Sequence, residues 1–306
     1  MNSRTRTRTL AGFAAAVALA GTLVQPVAAT YPGSVNGRLA FGADVGGNID
    51  VYSVLPNGQA RLRLTDHVYF DACPAWSSDG KQIAWCHGIR ARGGIIEIWT
   101  MKSNGDDKRQ VTQLGGRMTF PDFSPDGTQL VFTGRLPGGT NDDVWRIDTD
   151  GTDLTQLTTD AGFDGYPAWS PDASRIVFTS SRTDDTGQVF VMNADGSGQT
   201  QLTFDPTFKD QTPDWSPDGS RISYAAGDPG DILVMNADGS DQHVVVGGAT
   251  DDFGTSWSPD GRFIAFLRFD DRNNRYVDLA DGSVHVVSTM ALQAVPAWQP
   301  RGDRLP

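Results

Sequence analysis

The chain has 306 residues, with 35 Gly, 17 Pro and a formal net charge of -12. That length allows one large all-β domain or two ordinary ones, and the acidic balance makes nucleic acid a poor partner. Loss of Arg4, Arg6 and Arg8 with a leader takes the charge to -15, a surface suited to solubility, to a basic protein partner or to a divalent cation.

The first 29 residues read as a secretory signal peptide: three arginines, an apolar run from Leu10 to about Val24, then Val27-Ala28-Ala29 as a small-residue cleavage site. The run is shorter than the roughly 20 residues a membrane-spanning helix needs, so a retained anchor is the lesser alternative. Thr22 stands where a lipoprotein would carry its cysteine, and the arginines never form an adjacent pair. No later stretch could span a membrane, and an exported chain, periplasmic or extracellular, is expected.

Residues 30–36 read as a linker, 37–302 as one repeat-built domain and 303–306 as a tail. The fullest repeat runs from Tyr166 to Thr203, with apolar runs at Pro167–Ser170, Ile176–Ser180, Gln188–Met192 and Thr200–Thr203. Pro171-Asp172-Ala173-Ser174 and Asn193-Ala194-Asp195-Gly196 separate the first and last pairs with turn-forming residues. This pattern predicts a four-stranded antiparallel meander. Trp76, Phe123, Trp169, Trp215, Trp257 and Trp298 mark the first strand of successive units at intervals of 41 to 47 residues, the period of a propeller blade. They are expected to be core aromatics wedged between neighbouring blades.

The unit at Arg38 lacks its first strand, whereas Pro296-Ala297-Trp298 is a first strand with no unit behind it. Their complementarity predicts an all-β, six-bladed β-propeller whose C-terminal strand completes the N-terminal blade, leaving no radial edge. An open solenoid would strand both fragments.

Pro-x-Trp-Ser-Pro-Asp-Gly, then Arg-Ile-x-Phe, then Val-Met-Asn-Ala-Asp-Gly-Ser, resembles the TolB propeller repeat, the WD40-like PD40 repeat of bacterial exported proteins. The resemblance covers nearly all of the chain after the leader and implies the propeller fold, whereas related propellers in peptidases and lyases make it a weaker guide to function. The family as first defined carries an α/β domain ahead of its propeller, for which only a few residues are available here. That departure puts membership of a Tol and Pal envelope complex in question.

Three residues before each Pro-x-aromatic, where the innermost strand begins, stand Asp71, Met118, Asp164, Asp210, Asp252 and Gln293. A closed ring would gather the four aspartates around one axis, where calcium or another divalent ion is the implied ligand. The alternative is that each carboxylate serves backbone in its own or a neighbouring blade. Cys73 and Cys86 flank the hairpin turn Ser78-Asp79-Gly80-Lys81; with the turn centred between Asp79 and Gly80 they face each other at a spacing that suits a disulfide. Two free core thiols are the alternative.

For enzymology little is legible. His67, His87, His243 and His285 show no metal-ligand spacing, and no Gly-x-Ser-x-Gly elbow exists. Arg135, Arg182, Arg268 and Arg275 lie near connections between second and third strands, where one face of a disc would gather them. The reading is a non-enzymatic, monomeric binding platform for a protein or cell-envelope component, with no catalytic residue assigned. The alternative is a carbohydrate-active lyase or hydrolase using a metal in the channel, which a convergence of His, Arg and Tyr in one pocket would favour.

Overall fold

The computed structural model describes residues 35–89, 94–183, 186–205, 211–288 and 296–301. Every regular element among them is a β-strand, and the strands form antiparallel meanders in the order expected. Blade 2 is representative. Phe70–Trp76, Gln82–Gly88, Ile96–Lys102 and Arg109–Gln110 pair in sequence order, each antiparallel to the next.

Hydrogen bonding differs from six separate sheets at one place. Four meanders are independent four-stranded sheets, whereas those of blades 2 and 3 join into one eight-stranded sheet. The joint is a single parallel pair, Ile96 with Arg117, so two meanders remain recognisable within it. Closure is as the split unit requires. Ala297–Arg301 pairs antiparallel with Val35–Asp44 through Leu39 with Trp298 and Ala40 with Ala297, and the six first strands touch one another in a closed cycle.

Each turn is held by the same short side chains. Ser170 donates its hydroxyl to Asp172 at 2.7 Å, Asp172 accepts the Ser174 N–H at 3.0 Å, and Ser170 Oγ accepts the Arg175 N–H at 2.9 Å. Ser216 with Asp218 and Ser258 with Asp260 repeat this arrangement. The Leu-Thr or Val-Thr that ends each of the first four units has a matching role. Thr65, Thr112, Thr158 and Thr203 accept the N–H of Val51, Ile98, Val144 and Val189 at 2.8 to 2.9 Å, satisfying donors that the short outer strand leaves over.

The core is divided among the blade boundaries. Six apolar clusters lie between neighbours: Trp76 packs with Ala40, Val51 and Leu64 of blade 1, Phe123 with Ala72 and Val111 of blade 2, and Trp169 with Val131 and Leu157 of blade 3. Trp215 and Trp257 meet blades 4 and 5 in the same way, and Trp298 completes the boundary with blade 6. No single blade could bury both of its faces, so ring closure and core formation are one event.

Candidate functional site

The first strands line the axis. Four of them carry a bulge at the residue before a proline, and Cys73, Phe120, Tyr166 and Thr212 adopt φ of 51° to 53° there. Blade 6 places Gly254 at φ 69°. Such a conformation costs on the order of 1 kcal/mol for a residue with a Cβ, and its recurrence in four blades turns the following Pro-x-aromatic into the channel. Residues from all six blades meet around an axial cavity of about 120 Å³.

Two carboxylates sit in that channel. Asp122 Oδ2 accepts the backbone N–H of Trp169 at 2.8 Å, and Asp214 Oδ2 accepts that of Trp257 at 2.8 Å, each bond crossing to the next blade. Burial pushes both carboxyls up to about 7; the backbone bonds pull the other way, and the Asp214 charge raises Asp122 further. Ser256 receives the Trp298 N–H at 3.3 Å, while the corresponding positions Ala75, Ala168 and Ala297 have no such group.

The mouth where the first strands begin is filled by aromatic rings. Phe120 and Tyr166 lie 4.6 Å apart between centroids, Tyr166 and Phe163 5.4 Å, Tyr166 and Phe253 6.1 Å, and Phe253 and Phe269 5.8 Å. Burial pushes the Tyr166 hydroxyl up to about 12. In an antiparallel meander the second-to-third and fourth-to-first connections share this face, and the Asp-Gly turns take the other. Of the thirteen exposed large hydrophobics among the described residues, eight belong to the aromatic face: Val45, Val68, Tyr69, Ile89, Ile95, Leu136, Phe204 and Phe269. The other five lie on or beside outer strands.

The aspartates singled out from the sequence are engaged locally. Asp71 accepts from Trp85 Nε1 at 2.9 Å and from His87 Nδ1 at 2.6 Å; Asp164 pairs with Arg182 at 2.8 Å; Asp252 receives both Arg268 Nε at 2.7 Å and Nη2 at 2.6 Å. Burial raises the Asp164 and Asp252 carboxyls, and the arginines act against it. Asp210 lies outside the described residues. Among those described, no group of three His, Cys, Asp or Glu side chains could hold a metal ion, and carboxylates committed to arginine, imidazole and indole do not fit a calcium shell.

The four arginines of the same face are committed too. Arg135 pairs with Asp142, Arg182 also with Asp160 at 2.9 Å, and Arg275 with Asp271 at 2.5 Å. The cysteines need a correction in register. The bulge sets Ala72, not Cys73, opposite Cys86; both side chains are buried and in the thiol form, hydrogen-bonded to each other, with burial pushing Cys86 well up.

Asp122 and Asp214 escaped the sequence reading. The signal was present in Pro121-Asp122-Phe123 and Pro213-Asp214-Trp215, where sister units have Ala or Ser, but only a closed ring makes the middle residue face the axis. The eight apolar residues belong to no shared motif, and strand direction alone assembles them.

Fold and channel together define a closed β-propeller. It is similar to the TolB propellers: the model of the TolB beta propeller domain matches residues 106–252, a little under half of the chain. TolB from Acinetobacter baumannii superposes with a TM-score of 0.74 at 20% identity, over 87% of this chain and 67% of that one. An oligogalacturonate lyase of Vibrio parahaemolyticus superposes with a TM-score of 0.56 at 16% identity, over 82% and 74%. At such identities these likenesses concern the fold. A dipeptidyl-peptidase 5 of Porphyromonas endodontalis is 35% identical over 94 residues, 30% of this chain and 13% of that enzyme.

Proposed function

We propose that this protein is an exported, non-enzymatic binding platform, acting as a monomer, that docks a protein or cell-envelope component on the face bearing the aromatic channel mouth. The observation that carries this reading is the segregation of exposed apolar residues. Eight of the thirteen gather on that face, around rings that meet over the axis, whereas Leu154 alone of these described residues lies in a connection that carries an Asp-Gly turn. Partly exposed aromatics around a shallow depression suit a protein partner. The signal-like leader supports export, and no helix among the described residues is long and apolar enough to cross a membrane.

A protein partner with an apolar tip would replace water over Phe253, Phe269 and Tyr166. Rigid first strands hold that surface in place, while two ion pairs beside it, Arg182 with Asp164 and Arg268 with Asp252, neutralise the buried aspartates. The channel-metal version of the lyase or hydrolase reading finds no support in the described aspartates, for the reasons given above.

The test is affinity capture from the envelope and culture fractions with the wild type and with the double variant Phe204→Glu, Phe269→Glu, followed by mass spectrometry. A partner held by the wild type and lost by the variant is the expected result. Equal recovery by both would overturn the assignment of the face.

A further inference from the structure

Blade 2 departs from its sisters where its first strand begins. In blades 4 and 6 the buried aspartate is covered by an arginine whose guanidinium lies across the aromatic residues of the blade: Arg182 over Phe178 and Phe190 at 5.5 and 5.0 Å, Arg268 over Phe266 at 5.8 Å. Blade 2 keeps the aspartate, with Asp71 1% exposed. It puts His87 in the register position that Arg268 occupies against Asp252. The imidazole reaches the carboxylate but not the space beyond it. A cleft of about 560 Å³ opens there, between the outer edge of blade 1 and blade 2, walled by Trp85, Trp99, His67 and His87.

The hydrogen bonds fix what the two imidazoles offer. Asp71 Oδ1 accepts the Trp85 indole N–H and also the His87 ring at Nδ1. In the neutral ring Nδ1 therefore carries the proton, and His87 Nε2 is an acceptor. His67 is set the opposite way. Its Nδ1 accepts the Tyr69 backbone N–H at 3.2 Å, which places the proton of the neutral ring on Nε2. The ring centroids are 5.1 Å apart, so the cleft has an acceptor and a donor side by side. Trp99 is half-buried with its ring 5.0 Å from His87, and Tyr69, 43% exposed, packs against both imidazoles.

Adjacent donor and acceptor groups beside aromatic faces suit a ring of hydroxyls. Each hydroxyl both donates and accepts, and the C–H face of a sugar packs on an aromatic surface as other apolar groups do. A strongly anionic ligand is less well matched, because Arg63 is already paired with Asp50 at 2.6 Å and Asp66 at 2.7 Å, and Lys108 donates to the Gly105 carbonyl. We infer that the cleft between blades 1 and 2 binds a neutral saccharide, with His87 Nε2 accepting from one hydroxyl, His67 Nε2–H donating to another and Trp99 packing on the ring. This site goes beyond the docking face and stands without it.

Saturation-transfer NMR and tryptophan fluorescence with cellobiose, maltose and N,N'-diacetylchitobiose test the inference on the whole protein. At least one of these sugars is expected to bind the wild type. His87→Arg recreates the pairing seen between Asp252 and Arg268 and refills the cleft; it should preserve the fold by circular dichroism and weaken binding about tenfold or more, the effect of losing one well-made hydrogen bond. Trp99→Ala should do the same, and it carries the comparison if His87→Arg fails to melt cooperatively. No transfer to any of the three sugars, or undiminished affinity in the variants, would overturn the inference.

Discussion

Asp122 accepts the backbone N–H of Trp169 across the boundary between blades 3 and 4 at 2.8 Å. The bond joins two blades and also places a partly buried ionisable group at the axial cavity, and Asp214 does the same between blades 5 and 6.

That double role has a consequence for pH. Both carboxyls are raised to about 7 and Asp143 to about 6 by burial, against roughly 3.9 in the unfolded chain. Between those values the native state holds protons that the unfolded state lacks. Stability therefore falls as pH rises through that window. The melting temperature is expected to increase from pH 8 to pH 5. Asp122→Asn with Asp214→Asn, which keeps a carbonyl oxygen to accept the N–H, should stabilise the protein at pH 8 by on the order of 2 kcal/mol and flatten the profile. Calorimetry across the range would refute this if the variant's profile kept the wild-type slope.

Asp252 and Arg268 supply a second test. The Asp252 side chain is buried and receives two guanidinium donors. Arg268→Ala leaves that carboxylate unpaired in the interior, with an expected cost of about 3 kcal/mol at pH 7. The cost should shrink on acidification, because protonation removes the stranded charge. A constant difference from the wild type between pH 7 and pH 4 would show that lost packing over Phe266, not charge, is the cause.

Ring closure depends on Trp298, which pairs with Leu39 and packs against Phe263 and Tyr276. Trp298→Ala is expected to cost about 3–5 kcal/mol and to lower one cooperative transition. Separate melting of the boundary between blades 6 and 1, with the rest unchanged, would mean that the blades are independently stable.

We propose that Cys73 and Cys86, hydrogen-bonded to each other as thiols, form a disulfide after export into an oxidising compartment. The left-handed bulge at Cys73 is what brings it near a partner that the ladder sets opposite Ala72. Denaturation without reductant, followed by alkylation and mass measurement, should add nothing to protein from such a compartment. Two added alkyl groups would rule the bond out.

Much of this molecule was legible in its sequence, for physical reasons that are local. The Ser-x-Asp turns, the Leu-Thr or Val-Thr endings and the aromatic of each first strand depend on neighbours a few residues away, so repetition exposes them. The orphan first strand at Trp298 announced closure, because an unpaired edge needs a partner. Distances across the ring were not legible in this way. Asp71, Asp164 and Asp252 recur as an axial motif would, yet each is paired by a side chain of its own blade. Asp122 and Asp214 recur in only two units and nevertheless face the axis. Even Cys73 opposite Cys86 failed by one residue, because a bulge shifts register without leaving a separate mark.

Sequence alone determined the blade, the order of its strands and the join of the two termini, since hairpin chemistry and apolar alternation act between residues close in the chain. The tertiary structure decided which carboxylates enter the channel, which loops share the apolar face and where His87 leaves a cleft that arginine fills elsewhere. Those outcomes depend on how separate blades rotate about a common axis, which no stretch of chain encodes by itself.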